Sequence, residues 1–397
     1  MTLYSLPNDL FYTLIFPELT LFDIHQISFV NKAMYELVKL YDGHGHIEEY
    51  YPSDKGPDIE AQMTKLIAKF PQMLYTVSER EELNSENAFN LSKFADYIES
   101  YSCRNTMRIP LVTIPRLQFL QISGKNPRLR ELPRVYDELY PVLRTIWFCD
   151  LVTSSPIHIQ FSKSLRHIYI EFRREAVPVY IANLPNLTEL SIEMEDNAMD
   201  FEGMSLFDVY IQPHNMGGPI IILDVPKISV LTITNYNLTL TLPRFSNLTE
   251  LHLVRVNYIQ EDKSTLFQIN FNKVFPHLRK LSIVGSGTAI FGEDGWPPVH
   301  SVLHDLSNLE GLQLEDIWGL EAIGSLTNIE FINILHCDYL RAIKSVTSID
   351  TMYITNCKNL AIDFDQSEVK HLIFNGSNAK TVDMRDLSNN AAPTPFP

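Results

Sequence analysis

Three consecutive segments of 20 residues decide the fold: LSNLEGLQLEDIWGLEAIGS (residues 306–325), LTNIEFINILHCDYLRAIKS (326–345) and VTSIDTMYITNCKNLAIDFD (346–365). Apolar residues take the same positions in all three, and a further step of the same length reaches Val369. A fixed period of this length is typical of a solenoid, in which each repeat buries its apolar side against its neighbours. The sequence therefore predicts a stack of similar units.

Each repeat carries three apolar residues in the spacing that Leu309, Leu312 and Leu314 show. In a β-strand the second and third of these point inward, and the residues beside and between them form the outer face. The template fits about twelve repeats and assigns residues 111–387 to the solenoid. The repeats begin at Leu117, Leu143, Leu165, Leu187, Leu206, Ile228, Leu248, Leu278, Leu309, Ile329, Ile349 and Val369.

The spacing resembles the leucine-rich repeat. The resemblance extends to a column formed by Ile317, Cys337 and Cys357, where that family places an apolar residue, Cys or Asn. It implies an α/β solenoid of one short strand and one return segment per repeat. It also implies that the concave strand face binds protein partners.

The N-terminal segment LPNDLFYTLIFPELTLFDIHQISFVNKAMYELV (residues 6–38) has a helical period instead. Apolar residues recur every three or four positions, which predicts a small all-α module over residues 1–45. A module of so few residues cannot form an independent core. We therefore expect contact with a partner to stabilise it.

This module resembles the F-box, through Leu6-Pro7, Asp23-Ile24 and Val30-Asn31-Lys32. The tryptophan usual after that last triplet is absent, and Met34 and Tyr35 stand there. The resemblance implies a complex with a Skp-type adaptor and, through it, a cullin. The residues expected to bind the adaptor are Leu6, Pro7, Leu10, Ile15, Leu19, Ile24, Ile27 and Val30.

Two further segments complete the predicted organisation. Residues 46–110 are expected to form a linker and a helical N-terminal cap, with helices near residues 59–70 and 87–101, because solenoids need covered ends. Residues 388–397 contain no core-forming residue except Phe396, and we expect a disordered tail there.

Charge suggests one candidate docking patch. The whole chain has a net charge of −16, which argues against coating nucleic acid or an anionic membrane. Residues 104–174 nevertheless contain 12 basic and 5 acidic residues, so the first repeats are locally basic. Arginines beside aromatic residues there could bind an acidic or phosphorylated client, or could form only a solvated face. The candidates are Phe119, Arg144, Trp147, Arg166, His167 and Tyr169, with Arg173 or Arg174.

A second candidate patch lies in the last repeats. Four apolar residues take positions that the strand period turns outward: Phe331, Leu335, Tyr353 and Ile373. Apolar side chains on a face that should meet water are typical of a protein interaction site. The C-terminal tail could alternatively fold over them.

The sequence contains no pattern for catalysis or for binding a cofactor. Gly285 and Gly287 do not fit a nucleotide-binding loop, and the histidines lack metal-ligand spacing. Four cysteines are too few for a disulfide framework, which indicates a reducing compartment. We expect no cofactor, no metal and no enzymatic activity, no nucleic-acid or membrane partner, and a location in the cytoplasm, the nucleus or both.

An F-box followed by leucine-rich repeats resembles the substrate-recognition subunits of SCF-type cullin-RING E3 ubiquitin ligases. By this resemblance, the chain holds a client near the ubiquitin-loaded enzyme. The alternative is a scaffold that assembles proteins without ubiquitylation. A third possibility is a repeat protein whose N-terminal helices only cap the solenoid.

Overall fold

The structure is a computed structural model, and it describes twenty-three stretches of the chain. They are residues 32–40, 44–48, 59–79, 91–104, 112–125, 136–152, 156–160, 162–173, 177–194, 217–223, 225–234, 236–240, 245–254, 257–258, 271–285, 301–303, 306, 308–317, 320–324, 326–343, 346–358, 360–362 and 369–375. The chain divides into two compact units, Met1–Leu151 and Val152–Pro397.

The first unit combines parallel strands with short helices. Its strands, hydrogen-bonded in chain order, are β1 (His44–Glu48), β2 (Leu74–Glu79), β3 (Ile98–Arg104), β4 (Phe119–Lys125) and β5 (Thr145–Val152). Its helices are α1 (Lys32–Lys39), α2 (Ile59–Lys69), α3 (Leu91–Phe94) and α4 (Tyr136–Leu139), with a 3-10 turn at Ala95–Tyr97.

The second unit is a parallel β-solenoid. The strands of its long sheet, in spatial order, are β7 (His167–Phe172), β9 (Glu189–Met194), β11 (Val230–Thr234), β13 (Glu250–Val254), β15 (Lys280–Val284), β17 (Gly311–Glu315), β19 (Leu326–Leu335), β21 (Val346–Thr355) and β23 (Val369–Asn375). Because each strand pairs in parallel with the next, the chain must return to the same end before every repeat.

The return segments form two further parallel sheets. One contains β6 (Ile157–Gln160), β8 (Val179–Ala182), β10 (Gly217–Leu223), β12 (Tyr236–Leu240) and β14 (Asn257–Tyr258). The other contains β16 (Ser301–Leu303), β18 (Leu320–Ile323), β20 (Ala342–Ile343) and β22 (Ala361–Ile362). The described part of this unit has one helical turn, α5 (Phe271–Val274).

The repeat solenoid is confirmed, but its α/β character is wrong for the described return segments. Three of them, β6, β8 and β18, have four residues each and bury the first and third, which are apolar. A helix needs about ten residues to expose a stable apolar face, and a strand needs four or five.

The structure also changes the predicted boundaries. Strands β1, β2 and β3 lie within or just before residues 46–110, so the sheet starts at His44 and not near residue 111. The helix expected near residues 59–70 is present as α2. The helix expected over residues 87–101 is wrong from Ile98 onward, because the described residues there form α3 and the 3-10 turn up to Tyr97 and then the extended strand β3.

Several expected features lie outside the described residues. These are residues 1–31 of the F-box-like module, the tail 388–397 and the repeat that begins at Leu206. The pairing of β9 with β11 does correct the last of these, since Leu190 lies opposite Leu231 and no strand separates them in this sheet. Each of the other predicted repeats has a strand.

Alternating burial along the strands builds the core. In β17, Leu312 and Leu314 are fully buried, whereas Gln313 between them is half-buried on the other face. The same alternation recurs in β11, β13 and β15. Burying a Leu or Ile side chain contributes roughly 1.5–3 kcal/mol, so stacked repeats supply the stability that one repeat lacks.

A tight turn precedes many of the strands. Leu187 N–H donates to Leu184 O at 3.2 Å, and Leu278 N–H donates to Phe275 O at 3.1 Å. The second turn position is often proline, whose fixed φ suits this turn. At the third position, asparagine side chains bond the preceding repeat, as Asn247 Nδ2 does to Pro226 O at 2.6 Å.

A residue in the left-handed conformation forms the corner after each of the strands β15, β17, β19 and β21. Gly285, Asp316, His336 and Asn356 have φ values of 57°, 50°, 53° and 55°. Each donates its backbone N–H to the next repeat, for example Asp316 to Leu335 O at 3.0 Å. Gly, Asn, Asp and His adopt this conformation more readily than branched residues.

Substitution of Asp316 tests this corner. We expect Asp316→Val to lower the free energy of unfolding by about 1–2 kcal/mol, since a branched residue strains at positive φ. Asp316→Gly should be neutral or slightly stabilising, and it serves as the matched control. Urea denaturation of the two variants measures the difference, and equal midpoints would show that backbone strain does not govern this position.

Candidate functional site

The outer face of the long sheet in the second unit, here called the strand face, carries the candidate site. It is formed by the side chains that the odd-numbered strands from β7 to β23 direct away from the core. Its C-terminal end contains an apolar group, the C-terminal patch, formed by Phe331, Leu335, Tyr353 and Ile373. Phe331 is 40% exposed and Tyr353 is 38% exposed, whereas Leu335 and Ile373 are half-buried.

Strand register brings these four side chains together. Tyr353 lies directly opposite Ile373 on β23, and the Phe331 and Tyr353 rings lie diagonally across β19 and β21. Their ring centroids are 6.0 Å apart with planes tilted by 54°. Tilted aromatic pairs at this distance are favourable, so the two rings stiffen each other while staying open to solvent.

A small residue leaves room beside Phe331. Gly311 lies opposite Phe331 in the register of β17 and β19. A Cβ added at Gly311 would stand 3.7 Å from Lys280 Cγ, which is ordinary contact. Since Gly311 carries no side chain, one side of the Phe331 ring borders a notch in the strand face.

Carboxylates border the C-terminal patch. Glu330 is exposed beside Phe331, and Glu315 is half-buried opposite Leu335. Among the described residues, neither carboxylate has a hydrogen-bond or ion-pair partner. Asp350, one repeat further on, is neutralised by Lys370 at 2.6 Å.

In the middle of the strand face, polar and charged side chains pair with one another. Lys280 Nζ lies 2.9 Å from Glu250 Oε1, and His252 Nε2 lies 3.5 Å from Glu250 Oε2. The hydrogen bond from Lys280 lowers the pKa of Glu250, and the reciprocal bond raises the pKa of Lys280. Glu310 and Glu330 also help to raise the pKa of Lys280, so several carboxylates act on this edge of the face.

The predicted basic patch is divided between the two compact units, and each half is described by itself. In the first unit Arg144 is exposed, Trp147 is 38% exposed and Phe119 is half-buried. Nearby polar side chains are hydrogen-bonded, since Ser102 Oγ donates to Gln121 Oε1 and Gln121 Nε2 donates to Cys149 Sγ, each at 3.1 Å.

In the second unit the predicted basic residues adjoin acidic ones. Arg166 is exposed, and His167 and Tyr169 are half-buried on β7. The neighbouring strand presents Glu189, opposite His167, and Glu193. Burial and the hydrogen-bonded carboxylate of Glu189 raise the pKa of Tyr169 to about 12. An anionic client would meet these carboxylates, so the geometry favours the C-terminal patch.

The cysteine column is part of the core. Cys337 and Cys357 are fully buried, and their thiols lie 3.3 Å from Leu335 O and 3.5 Å from Thr355 O. Desolvation raises the pKa of Cys337 to about 12 and also raises that of Cys357. Buried thiols of this kind are structural rather than nucleophilic.

The predicted adaptor-binding residues, from Leu6 to Val30, lie outside the described residues. Their nearest described neighbour is α1, in which Met34, Leu37 and Val38 are buried. The sequence reasoning identified the four apolar residues of the patch and missed Gly311, Glu315 and Glu330. The signal was present in the sequence, because the unbroken 20-residue period aligns Glu315 with Leu335 and Gly311 with Phe331, and the structure pairs the same residues.

The described residues contain neither a cluster of metal-ligating side chains nor a membrane-spanning helix. No three or more His, Cys, Asp or Glu side chains there gather closely enough to hold a metal ion. No helix in that part of the chain is long and apolar enough to cross a membrane. In comparisons with known proteins, no family model matches the chain and no curated protein matches it.

Proposed function

We propose that this chain is the substrate-recognition subunit of an SCF-type cullin-RING E3 ubiquitin ligase, built as an F-box followed by leucine-rich repeats. The N-terminal segment binds a Skp-type adaptor, and the strand face of the repeats binds a protein client. Ubiquitin transfer belongs to the other subunits, and this chain contributes proximity. The F-box and repeat patterns in the sequence support the adaptor half of the proposal.

One structural observation supports the client half. Phe331 and Tyr353 are large aromatic residues, exposed side by side on a rigid sheet. Aromatic residues held in one orientation lose little entropy on binding and often dominate the affinity of protein interfaces. The core beneath them, at Ile332, Ile334 and Met352, is fully buried, so the pair stands on a well-packed support.

Co-purification with a Skp-type adaptor tests the adaptor half. We expect a stoichiometric complex with the wild-type chain and its loss in the Leu6→Ala/Pro7→Ala/Leu10→Ala variant, because these residues provide the apolar contact. The matched control is Glu330→Gln, which should keep the adaptor. A wild-type chain that never retains the adaptor would contradict the proposal.

A truncation separates an adaptor-binding module from a cap. Removal of residues 1–31 deletes every predicted adaptor contact and spares the buried residues of α1, such as Leu37. We expect the melting temperature of the repeats to stay unchanged while adaptor binding is lost. A fall of many degrees would show that the N-terminal segment caps the solenoid.

Client stability then separates the ligase subunit from a scaffold. A protein captured by the wild-type strand face and lost in Phe331→Ser/Tyr353→Ser should accumulate in cells that lack this chain. A client whose level does not change, while its assembly with other proteins fails, would identify a scaffold.

A further inference from the structure

We propose that the C-terminal patch binds an extended, basic client segment, in which apolar side chains lie between two Lys or Arg residues. This inference rests on the proposed client-binding role of the strand face. This basic client is opposite in charge to the acidic or phosphorylated client expected for the basic patch of the first repeats.

Carboxylates at the two ends of the C-terminal patch favour a basic client. Glu330 precedes Phe331 in the middle of β19, and Glu315 lies opposite Leu335, the last residue of β19. Within the described part of the chain, both carboxylates lack an ion-pair partner. The surrounding cations are already engaged, since Arg279 pairs with Glu310 at 3.0 Å and Lys280 with Glu250 at 2.9 Å. The patch therefore presents two negative charges with apolar surface between them.

The shape of the strand face beside Phe331 also favours a long basic side chain. The exposed Phe331 ring lies opposite Gly311, which has no side chain, and the methylene groups of Lys280 border the same position, so a long side chain there would contact both the ring and the Lys280 stem. A Lys or Arg stem fits such a notch because its methylene groups pack on the ring while its charge reaches Glu330. A cation over an aromatic face adds a further favourable interaction.

The distance between the two carboxylates sets the spacing of the basic residues in the client. Glu330 and Leu335 are five positions apart, which is about 16 Å along a strand that rises about 3.3 Å per residue. Side chains on one face of an extended client recur at every second residue, so two basic residues six positions apart lie on the same face, and their long side chains reach both carboxylates at once. Its apolar side chains would then cover Tyr353 and Ile373 between the two charges.

Fluorescence anisotropy with the full-length chain tests the proposal. The probe is a labelled peptide with two lysines six positions apart, and with leucine and isoleucine two and four positions after the first lysine, so that all four side chains share one face of the extended chain. The matched peptide has glutamates in place of the lysines. We expect the basic peptide to bind, more weakly as salt rises, and the acidic peptide to show no binding. Equal binding of both peptides, or of neither, would overturn the proposal.

Variants locate the binding. Glu315→Gln/Glu330→Gln should weaken the basic peptide by about fivefold at low salt, since each exposed ion pair contributes little. Phe331→Ser should weaken it further, and circular dichroism confirms that each variant is folded. The control Glu193→Gln, an exposed carboxylate on β9 of the same face, should leave binding unchanged. An equal loss in Glu193→Gln would overturn the assignment to this patch.

Two further measurements separate a failure of the basic-client proposal from a failure of the proposed ligase function. A chain that retains the Skp-type adaptor but ignores the basic peptide keeps the proposed function and loses the client chemistry. Analytical ultracentrifugation checks the other occupant, a second copy of the chain. A wild-type dimer that Phe331→Ser converts to monomer would make the patch a self-interface and overturn the proposal.

Discussion

Replacing Leu312 by alanine is expected to lower the free energy of unfolding by about 2–5 kcal/mol, the usual range for a large core residue truncated to alanine. Leu312 is fully buried between the repeats of Leu281 and Ile332, which lie opposite it on the neighbouring strands. The loss combines the transfer energy of the missing methyl groups with a cavity that stacked strands cannot easily close.

Gln313→Ala is the matched control, because it changes the adjacent residue on the strand face. We expect a change within about 0.5 kcal/mol, as for most surface substitutions. Urea denaturation measures both variants, and hydrogen exchange shows whether the loss is concentrated at β15, β17 and β19, as nearest-neighbour coupling in a solenoid requires. Similar losses in the two variants would contradict the assigned inward and outward faces of β17.

Cys337 is expected to react with iodoacetamide at least about 100-fold more slowly in the folded protein than in the unfolded one. Burial raises its pKa from 9.0 to about 12, which reduces the thiolate fraction near pH 8 by roughly 1000-fold. The side chain is also fully buried, so the reagent has no direct access. Mass spectrometry that resolves each cysteine measures the two rates separately from those of Cys103 and Cys149.

The same shift predicts a pH dependence of stability. The folded state keeps the Cys337 proton up to about pH 12, whereas the unfolded thiol ionises near its ordinary pKa of 9.0. Stability is therefore unaffected below pH 9 and falls as the pH rises from 9 towards 12, since the unfolded state then binds fewer protons. Cys337→Val should lose less stability over that interval. Fast labelling of folded Cys337, or identical pH profiles, would contradict a buried structural thiol.

Particular residues show how far the sequence reached. The spacing of Leu309, Leu312 and Leu314 correctly predicted a strand with two inward side chains. The return segment Leu320–Ile323 was not predictable to the same degree, because four residues with little polar content fit a buried strand or part of a helix equally well. Strands β1 to β3 were missed since their apolar residues depart from the repeat spacing: in β2 the buried residues Tyr75 and Val77 follow Met73 of the preceding turn by two and four positions instead of three and five.

The candidate site divides in the same way. Period-2 alternation alone placed Phe331 and Tyr353 outward, and the structure shows both exposed. Their tilted contact, the notch at Gly311 and the position of Glu315 depend on which residues of different repeats lie opposite each other. The unbroken 20-residue period already indicates the register of these repeats, but the distance and tilt between the rings of Phe331 and Tyr353 depend on the folded sheet.

The sequence by itself determined that the chain forms a solenoid and which residues of the repeated strands enter its core, because periodic apolar spacing has one way to bury its side chains. Only the tertiary structure decided that the described return segments are strands and that the rings of Phe331 and Tyr353 lie in tilted contact. Both depend on contacts between repeats, where hydrogen-bond register, and not local propensity, fixes which side chains meet.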